Sequence, residues 1–140
     1  MQRRLIAFLH DSAERPFAYG RNDCCLFLAD WWRLLHGADP AAELRGRYAD
    51  ETGKDDLLAQ ERGLQRLVAR VARRAGAVRT ASPTTGDFGL IAREGNPYGA
   101  ICTGKAGDAL CWAIRSETGV AFLTNPRVLQ AWAINVPVAP

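Results

Sequence analysis

The chain has 140 residues, of which 48% are hydrophobic and 24% charged, and it carries a formal net charge of +3. These values predict a single globular domain over residues 1–140 and argue against disorder. The apolar runs are too short for a membrane-spanning helix, and the arginines are too scattered to indicate a nucleic-acid partner.

The first segment, MQRRLIAFLHDSAE, predicts a short amphipathic helix. Leu5, Phe8 and Leu9 recur at helical spacing, and the helix should end before Pro16. The apolar stretch is too short for the central region of a signal peptide, and no small-residue cleavage site follows it. We therefore expect the protein to be made in the cytoplasm and to keep this helix.

A second helix is expected from about Asp23 to Leu35, with Gly37 as its C-terminal stop. Its apolar stripe predicts a face turned to the core and consists of Cys24, Phe27, Leu28, Trp31, Leu34 and Leu35. Adjacent Trp31 and Trp32 cannot share one helix face. We therefore expect one of them to contact a neighbouring loop or a partner subunit.

The loop HGADPAAELRGRYADETG (36–53) is too long for a simple connector and should carry specific contacts. After it, Asp55 to Arg74 predicts the longest helix, with a possible break at Gly63.

After Gly76 the pattern changes to short apolar runs separated by turn residues. These runs predict about five strands: DFGLIA, YGAICTG, ALCWAIRS, GVAFLT and LQAWAINV. A helical half over about 1–76 and a strand half over about 84–136 give an α+β fold, with N-terminal helices packed on a small antiparallel sheet or barrel.

Cys24 is a candidate nucleophile. Asp23 can cap the helix, and a cysteine in the first turn gains thiolate stability from unpaired backbone N–H groups and the helix dipole. The alternative is that Cys24 is a buried residue without chemistry. The other cysteines, Cys25, Cys102 and Cys111, are interpreted as core residues. With no C-x-x-C pair and only two histidines, neither a metal nor a cofactor is expected.

The segment FAYGRNDCCLFLADWW (17–32) resembles the Y-x-W-G-…-D-C-S-G-L-V segment of NlpC-type cell-wall cysteine peptidases. Tyr19, Gly20, Asp23 and Cys24 match that motif. Two later blocks, TTGDFGLI (84–91) and YGAICTG (98–104), resemble the family's next two strands. The resemblance implies a papain-like fold and aligns Cys24 with the catalytic nucleophile.

The histidine of that family's motif is missing. Its position is taken by Tyr98, or by Gly99 with a shift of one residue. The only histidines, His10 and His36, lie in the helical half, and helical rise places His36 about 18 Å from Cys24. Without a base to activate the cysteine, the triad chemistry fails unless His10 can approach it.

A closer likeness, over nearly the whole chain, is to small phage and prophage tail-region proteins related to those peptidases. The corresponding pieces are GRNDCCLFLAD (20–30), HGADP (36–40), RGRY (45–48), GDFGLI (86–91) and QAWAI (130–134). This likeness implies a gene product of a tailed phage or gene-transfer element that resides in the virion tail. It makes tail-tip or hub proteins the expected partners and peptidoglycan a candidate ligand.

Two hypotheses follow. The favoured one is a non-enzymatic, degenerate peptidase-like domain that serves as a structural or assembly component of a tail tip. The alternative is an active cysteine hydrolase that uses Cys24 on murein peptides. The candidate binding residues are Tyr19, Asp23, Trp32, Arg45, Arg47 and Tyr48. Within RGRY, our preferred interpretation is that both arginines bridge acids or carbonyls while the tyrosine packs onto the helices. At the strand entrance, Asp87 is expected to orient a turn by hydrogen bonding.

Overall fold

A computed structural model describes residues 1–135 and shows helices followed by an antiparallel sheet. The helices are α1 (Gln2–Glu14), α2 (Phe27–His36), α3 (Glu51–Gln60) and α4 (Leu64–Ala75), with a 3-10 turn at Ala42–Leu44. The strands are β1 (Val78–Arg79), β2 (Phe88–Arg93), β3 (Asn96–Ala106), β4 (Ala109–Ser116), β5 (Gly119–Thr124) and β6 (Arg127–Ala133). They form one sheet in the order β1-β6-β2-β3-β4-β5. The predicted α+β class is confirmed; the expected ends of the strand half at 136 and of the domain at 140 lie outside the described residues.

Helix α2 begins at Phe27, four residues after the predicted start at Asp23. Residues 24–26 form a turn instead, because Asp23 Oδ1 accepts hydrogen bonds from the backbone N–H of Cys25 at 3.0 Å and of Leu26 at 2.9 Å. Cys24 therefore lies in a capped turn that leads into the helix. It is not in the first helical turn.

The other end of α2 follows the prediction. Gly37 adopts a left-handed conformation with φ 85°, and its N–H donates to the Arg33 carbonyl at 2.8 Å. The prediction of the apolar stripe is wrong for one residue, since Leu34 is 49% exposed.

The predicted long helix is two helices. Arg62 and Gly63 have positive φ angles of 64° and 104°, which end α3 and start α4, so the possible break is confirmed. The first of these helices starts earlier than expected, at Glu51, because Asp50 caps it by accepting a hydrogen bond from the Gly53 N–H at 2.7 Å.

A two-residue turn fixes the register of β2 and β3. Glu94 and Gly95 have φ angles of 52° and 80°, as type I′ hairpin turns require. The turn pairs Arg93 with Asn96, and the alternation that follows sets Leu90 opposite Gly99 and Ile91 opposite Tyr98. Neighbouring residues of β3 consequently face opposite sides of the sheet.

Both faces of the sheet are buried. On one face, helices α1 and α2 pack against a group of strand residues: Phe88, Leu90, Ile101, Ala113 and Trp132. On the other face, a second buried cluster contains strand residues alone: Ile91, Ala100, Cys102, Trp112, Ile114 and Ala131. In the part of the chain that the structure describes, this second cluster contains no helical residue.

The tryptophan pair is covered by its own chain. Trp31 is fully buried and donates its Nε1–H to the Gly86 carbonyl at 2.8 Å, while Trp32 is 9% exposed. Trp32 stacks on His36 with ring centroids 3.8 Å apart and meets Phe88 edge-on. Of the two expected alternatives, a neighbouring loop or a partner subunit, the bond from Trp31 to Gly86 in the loop before β2 supports the first. As a candidate binding residue, Trp32 leaves little of its ring accessible. Within residues 1–135, no helix combines the length and apolarity needed to cross a membrane.

Candidate functional site

A cleft of about 690 Å³ lies beside the turn at Cys24 and brings several of the candidate residues together. Helix α3 and strands β3 and β4 contribute its other walls. Its lining includes Tyr19, Cys24, Cys25, Lys54, Tyr98 and Gly99. The segment around Cys24 and the start of β3 thus meet at one cleft.

Asp23 is the anchor of this region. Its side chain is 1% exposed and accepts four hydrogen bonds. Oδ1 receives the two N–H groups of the following turn, while Oδ2 receives the Gly20 N–H and the Tyr48 hydroxyl, both at 2.7 Å. Because this carboxylate already accepts four short hydrogen bonds, from three backbone N–H groups and one hydroxyl, we assign Asp23 a structural role.

Two motifs that are distant in sequence are joined here. Gly20 has φ 79°, and a Cβ at this position would lie 2.1 Å from the Tyr48 carbonyl oxygen. The Gly46 N–H also donates to the Gly20 carbonyl at 2.9 Å. Sequence reasoning placed Tyr48 on the helices but missed its bond to Asp23. Burial and that hydrogen bond raise the pKa of Tyr48, so it remains a phenol at neutral pH.

The arginines of the RGRY segment behave differently from each other. Arg45 pairs with Asp39 at 2.6 Å and with Asp30 at 2.8 Å, as predicted. Burial raises the pKa of Asp30 although Arg45 opposes it, whereas at Asp39 burial is outweighed and the bond to Arg45 lowers the pKa. Arg47 is exposed, and among the described residues it bridges no acid or carbonyl, so that part of the interpretation is wrong.

Neighbouring groups lower the pKa of the Cys24 thiol. A hydrogen bond from the Cys25 thiol and the nearby Lys54 ammonium lower its pKa, against the effects of burial and Asp23. The same hydrogen bond and burial raise the pKa of Cys25. Burial alone would lower the pKa of Lys54. Its partner Asp55, 2.9 Å away, and the two thiols outweigh burial and raise that pKa. Of the two thiols, Cys24 is therefore the one whose pKa is lowered.

The strand position that faces Cys24 is Gly99. A Cβ on Gly99 would lie 3.1 Å from Leu28 and 3.5 Å from the Cys24 carbonyl oxygen. The Tyr98 ring packs on the cluster of the opposite sheet face, under the Arg93 guanidinium at 5.9 Å. Tyr98 therefore borders the cleft, whereas Gly99 is the residue turned toward the Cys24 turn. Which of the two corresponds to the motif histidine stays a prediction.

Neither histidine lies in the cleft. The His36 ring is stacked on Trp32, and its Nε2 is 2.7 Å from the Ile134 carbonyl oxygen. His10 is an exposed residue of α1 and is not among the residues that line the cleft.

Two further polar residues, Tyr19 and Asp87, have defined hydrogen-bond partners. The Tyr19 hydroxyl donates to Glu117 Oε1 at 3.3 Å at the cleft rim, and burial and Glu117 raise the pKa of Tyr19. Asp87 accepts hydrogen bonds from the N–H groups of Thr84 and Ile134, both at 2.9 Å, which confirms its predicted orienting role. Across residues 1–135, no three His, Cys, Asp or Glu side chains cluster in a way that suits a metal ion.

Comparison with known proteins gives a family and no function. No curated protein and no solved structure matches the chain. One family model covers residues 1–134, nearly the whole of the chain. The protein therefore belongs to the family described as a domain of unknown function, DUF6950.

Proposed function

We propose that this chain is a non-enzymatic, peptidase-like domain that serves as a structural or assembly component of the tail tip of a tailed phage or gene-transfer element. The observation that carries the non-enzymatic part is the identity and fit of Gly99. It faces the Cys24 turn, it has no side chain, and Leu28 fills the space that a side chain would need.

Peptide hydrolysis requires more than a reactive thiol. A base must accept the thiol proton, and an acid must protonate the leaving amine. The phenol of Tyr48 is already donated to Asp23, and the Lys54 ammonium has a raised pKa, so it stays protonated at neutral pH. Neither group can accept and return a proton in the way that an imidazole does.

The motif residues have a structural role that does not require catalysis. Gly20, Asp23 and Tyr48 hold the segment before α2 against the loop before α3. Such a clasp would be needed in any domain of this architecture, including one whose task is to present a surface. The assignment to a phage tail rests on the five sequence blocks described above.

A second candidate, a working cysteine hydrolase, is favoured by one observation. Cys24 combines a lowered pKa with a place on an open cleft of about 690 Å³. Thiolate formation alone supports alkylation and thiol exchange, but among the described residues no imidazole lines the cleft to carry a proton from the thiol to the leaving amine of a peptide. We therefore rank this candidate below the first.

The test compares Cys24→Ser with the unmodified chain in the cell that produces the particles. We expect both chains to be present in purified tails, by mass spectrometry, and both particles to be equally infectious. Asp23→Ala is the matched control, because it removes the anchor and should deplete the chain from tails. Absence of the unmodified chain from purified tails would refute the tail role. Tails that contain Cys24→Ser but have lost infectivity would instead favour the hydrolase.

A further inference from the structure

The adjacent thiols of Cys24 and Cys25 have no role in a tail component and need a separate explanation. Both are free, half-buried and part of the cleft lining. The other two cysteines lie on strands, where Cys102 is buried in the sheet and Cys111 contacts the Thr124 hydroxyl at 3.9 Å. Only the first pair places two sulfurs on neighbouring residues in an accessible cleft.

The surroundings of the pair suit thiol oxidation. Reactive cysteines in redox sites are accessible, lie near a cation and have a second thiol close enough to resolve the first oxidation product. Lys54 lines the same cleft and supplies the cation, and Cys25 is the second thiol. We propose that Cys24 and Cys25 form a two-thiol redox site that hydroperoxides oxidise to a disulfide between the adjacent residues.

The reaction balances with a hydroperoxide as the oxidant. The Cys24 thiolate attacks one peroxide oxygen, the O–O bond breaks, and an alcohol or water leaves, so Cys24 becomes a sulfenic acid. The Cys25 sulfur then attacks the Cys24 sulfur and gives up its proton as it does so. The S–O bond breaks, and the departing hydroxide takes that proton and leaves as water. In total, two thiols and one hydroperoxide give one disulfide, one alcohol and one water.

Adjacent cysteines give a disulfide that is easily reduced. Their Cα atoms are held about 3.8 Å apart by a trans peptide, below the roughly 4.4–6.8 Å of ordinary disulfides. Strained disulfides are the labile ones, which thiols reverse readily. Ring closure also acts on the turn that Asp23 caps through the Cys25 N–H, so oxidation changes the wall of the cleft. The pair is thus a reversible modification site.

The experiment oxidises the full chain with hydrogen peroxide, alkylates the remaining thiols with iodoacetamide and maps the peptides by mass spectrometry. The expected product is a peptide that contains Cys24 and Cys25, has lost two hydrogens and carries no alkyl group. Dithiothreitol should restore alkylation at both positions. Cys102 and Cys111 should not form a disulfide under the same conditions.

Variants separate the roles of the two thiols. In Cys25→Ser, the sulfenic acid on Cys24 has no resolving thiol and should be captured by dimedone. The matched control, Cys111→Ser, should form the same disulfide as the unmodified chain. The proposal is overturned if the unmodified chain gives a sulfinic acid on Cys24 with Cys25 still free, if the disulfide joins two chains, or if both thiols survive peroxide that oxidises Cys24 in the Cys25→Ser variant.

Discussion

Tyr48→Phe tests whether the clasp around Asp23 is what the motif residues provide. The substitution keeps the buried ring and removes the hydroxyl that donates to Asp23 Oδ2 at 2.7 Å. Hydrogen bonds to a charged group contribute about 1.5–3 kcal/mol, and the loss falls at the upper part of that range when the acceptor is buried. Because three N–H groups still hold the carboxylate, we expect a loss of about 2 kcal/mol in the free energy of unfolding.

The assay is urea denaturation followed by circular dichroism, with linear extrapolation to water. The dependence on urea should be unchanged, because the variant exposes the same surface on unfolding. Tyr19→Phe is the matched control, since its hydroxyl bonds a carboxylate at an exposed position at 3.3 Å. It should cost less than about 0.5 kcal/mol. If the two variants lose the same stability, the reasoning about the clasp is refuted.

Three further predictions follow from the same contacts. Gly99→Ala should destabilise the fold by about 1–3 kcal/mol through overpacking, and by less when Leu28 is also alanine, in urea denaturation. Arg45→Met should cost about 2 kcal/mol at pH ~7 and less at pH ~4, because Asp30, whose pKa is raised, takes up a proton as the pH falls, while Asp39, whose pKa is lowered, stays ionised. Lys54→Gln should raise the pKa of Cys24, seen as a shift to higher pH of its alkylation rate by iodoacetamide.

Each of these has a contrary outcome. Strict additivity of the Gly99→Ala and Leu28→Ala effects would show that the two positions do not contact each other. An Arg45→Met effect that is the same at both pH values would exclude an ionic contribution from Asp30. Lys105→Gln is the control for the third, because Lys105 is exposed on β3 and does not line the cleft. If it shifts the alkylation profile of Cys24 as much as Lys54→Gln does, the effect is one of net charge.

Local features of this fold were predictable because they depend on nearby residues. Gly37 ends α2 and Gly63 separates α3 from α4, and in each case the backbone adopts a positive φ that glycine tolerates. The α+β class was predictable for the same reason. After Gly76 the spacing of apolar residues changes from helical periodicity to short strand-length runs, and such spacing is a local property.

The site was only partly predictable, because its decisive contacts are long-range. Tyr48 and Asp23 are 25 residues apart, and nothing in either motif specifies their bond. The choice between Tyr98 and Gly99 depends on strand register, which is set by the positive φ angles of the Glu94–Gly95 turn. The start of α2 was misplaced because the Asp23 carboxylate caps a turn before the helix.

Within residues 1–135, no histidine lines the cleft to accept and return a proton, and we therefore expect no peptide hydrolysis by Cys24. The most direct measurement is the release of new amino groups from purified murein peptides by the purified chain, with Cys24→Ala as the reference. We expect the two proteins to release amino groups at the same background rate at every pH between about 5 and 9. This is the interval in which catalytic histidines and thiols titrate. Cleavage by the unmodified chain that disappears in Cys24→Ala would contradict this expectation.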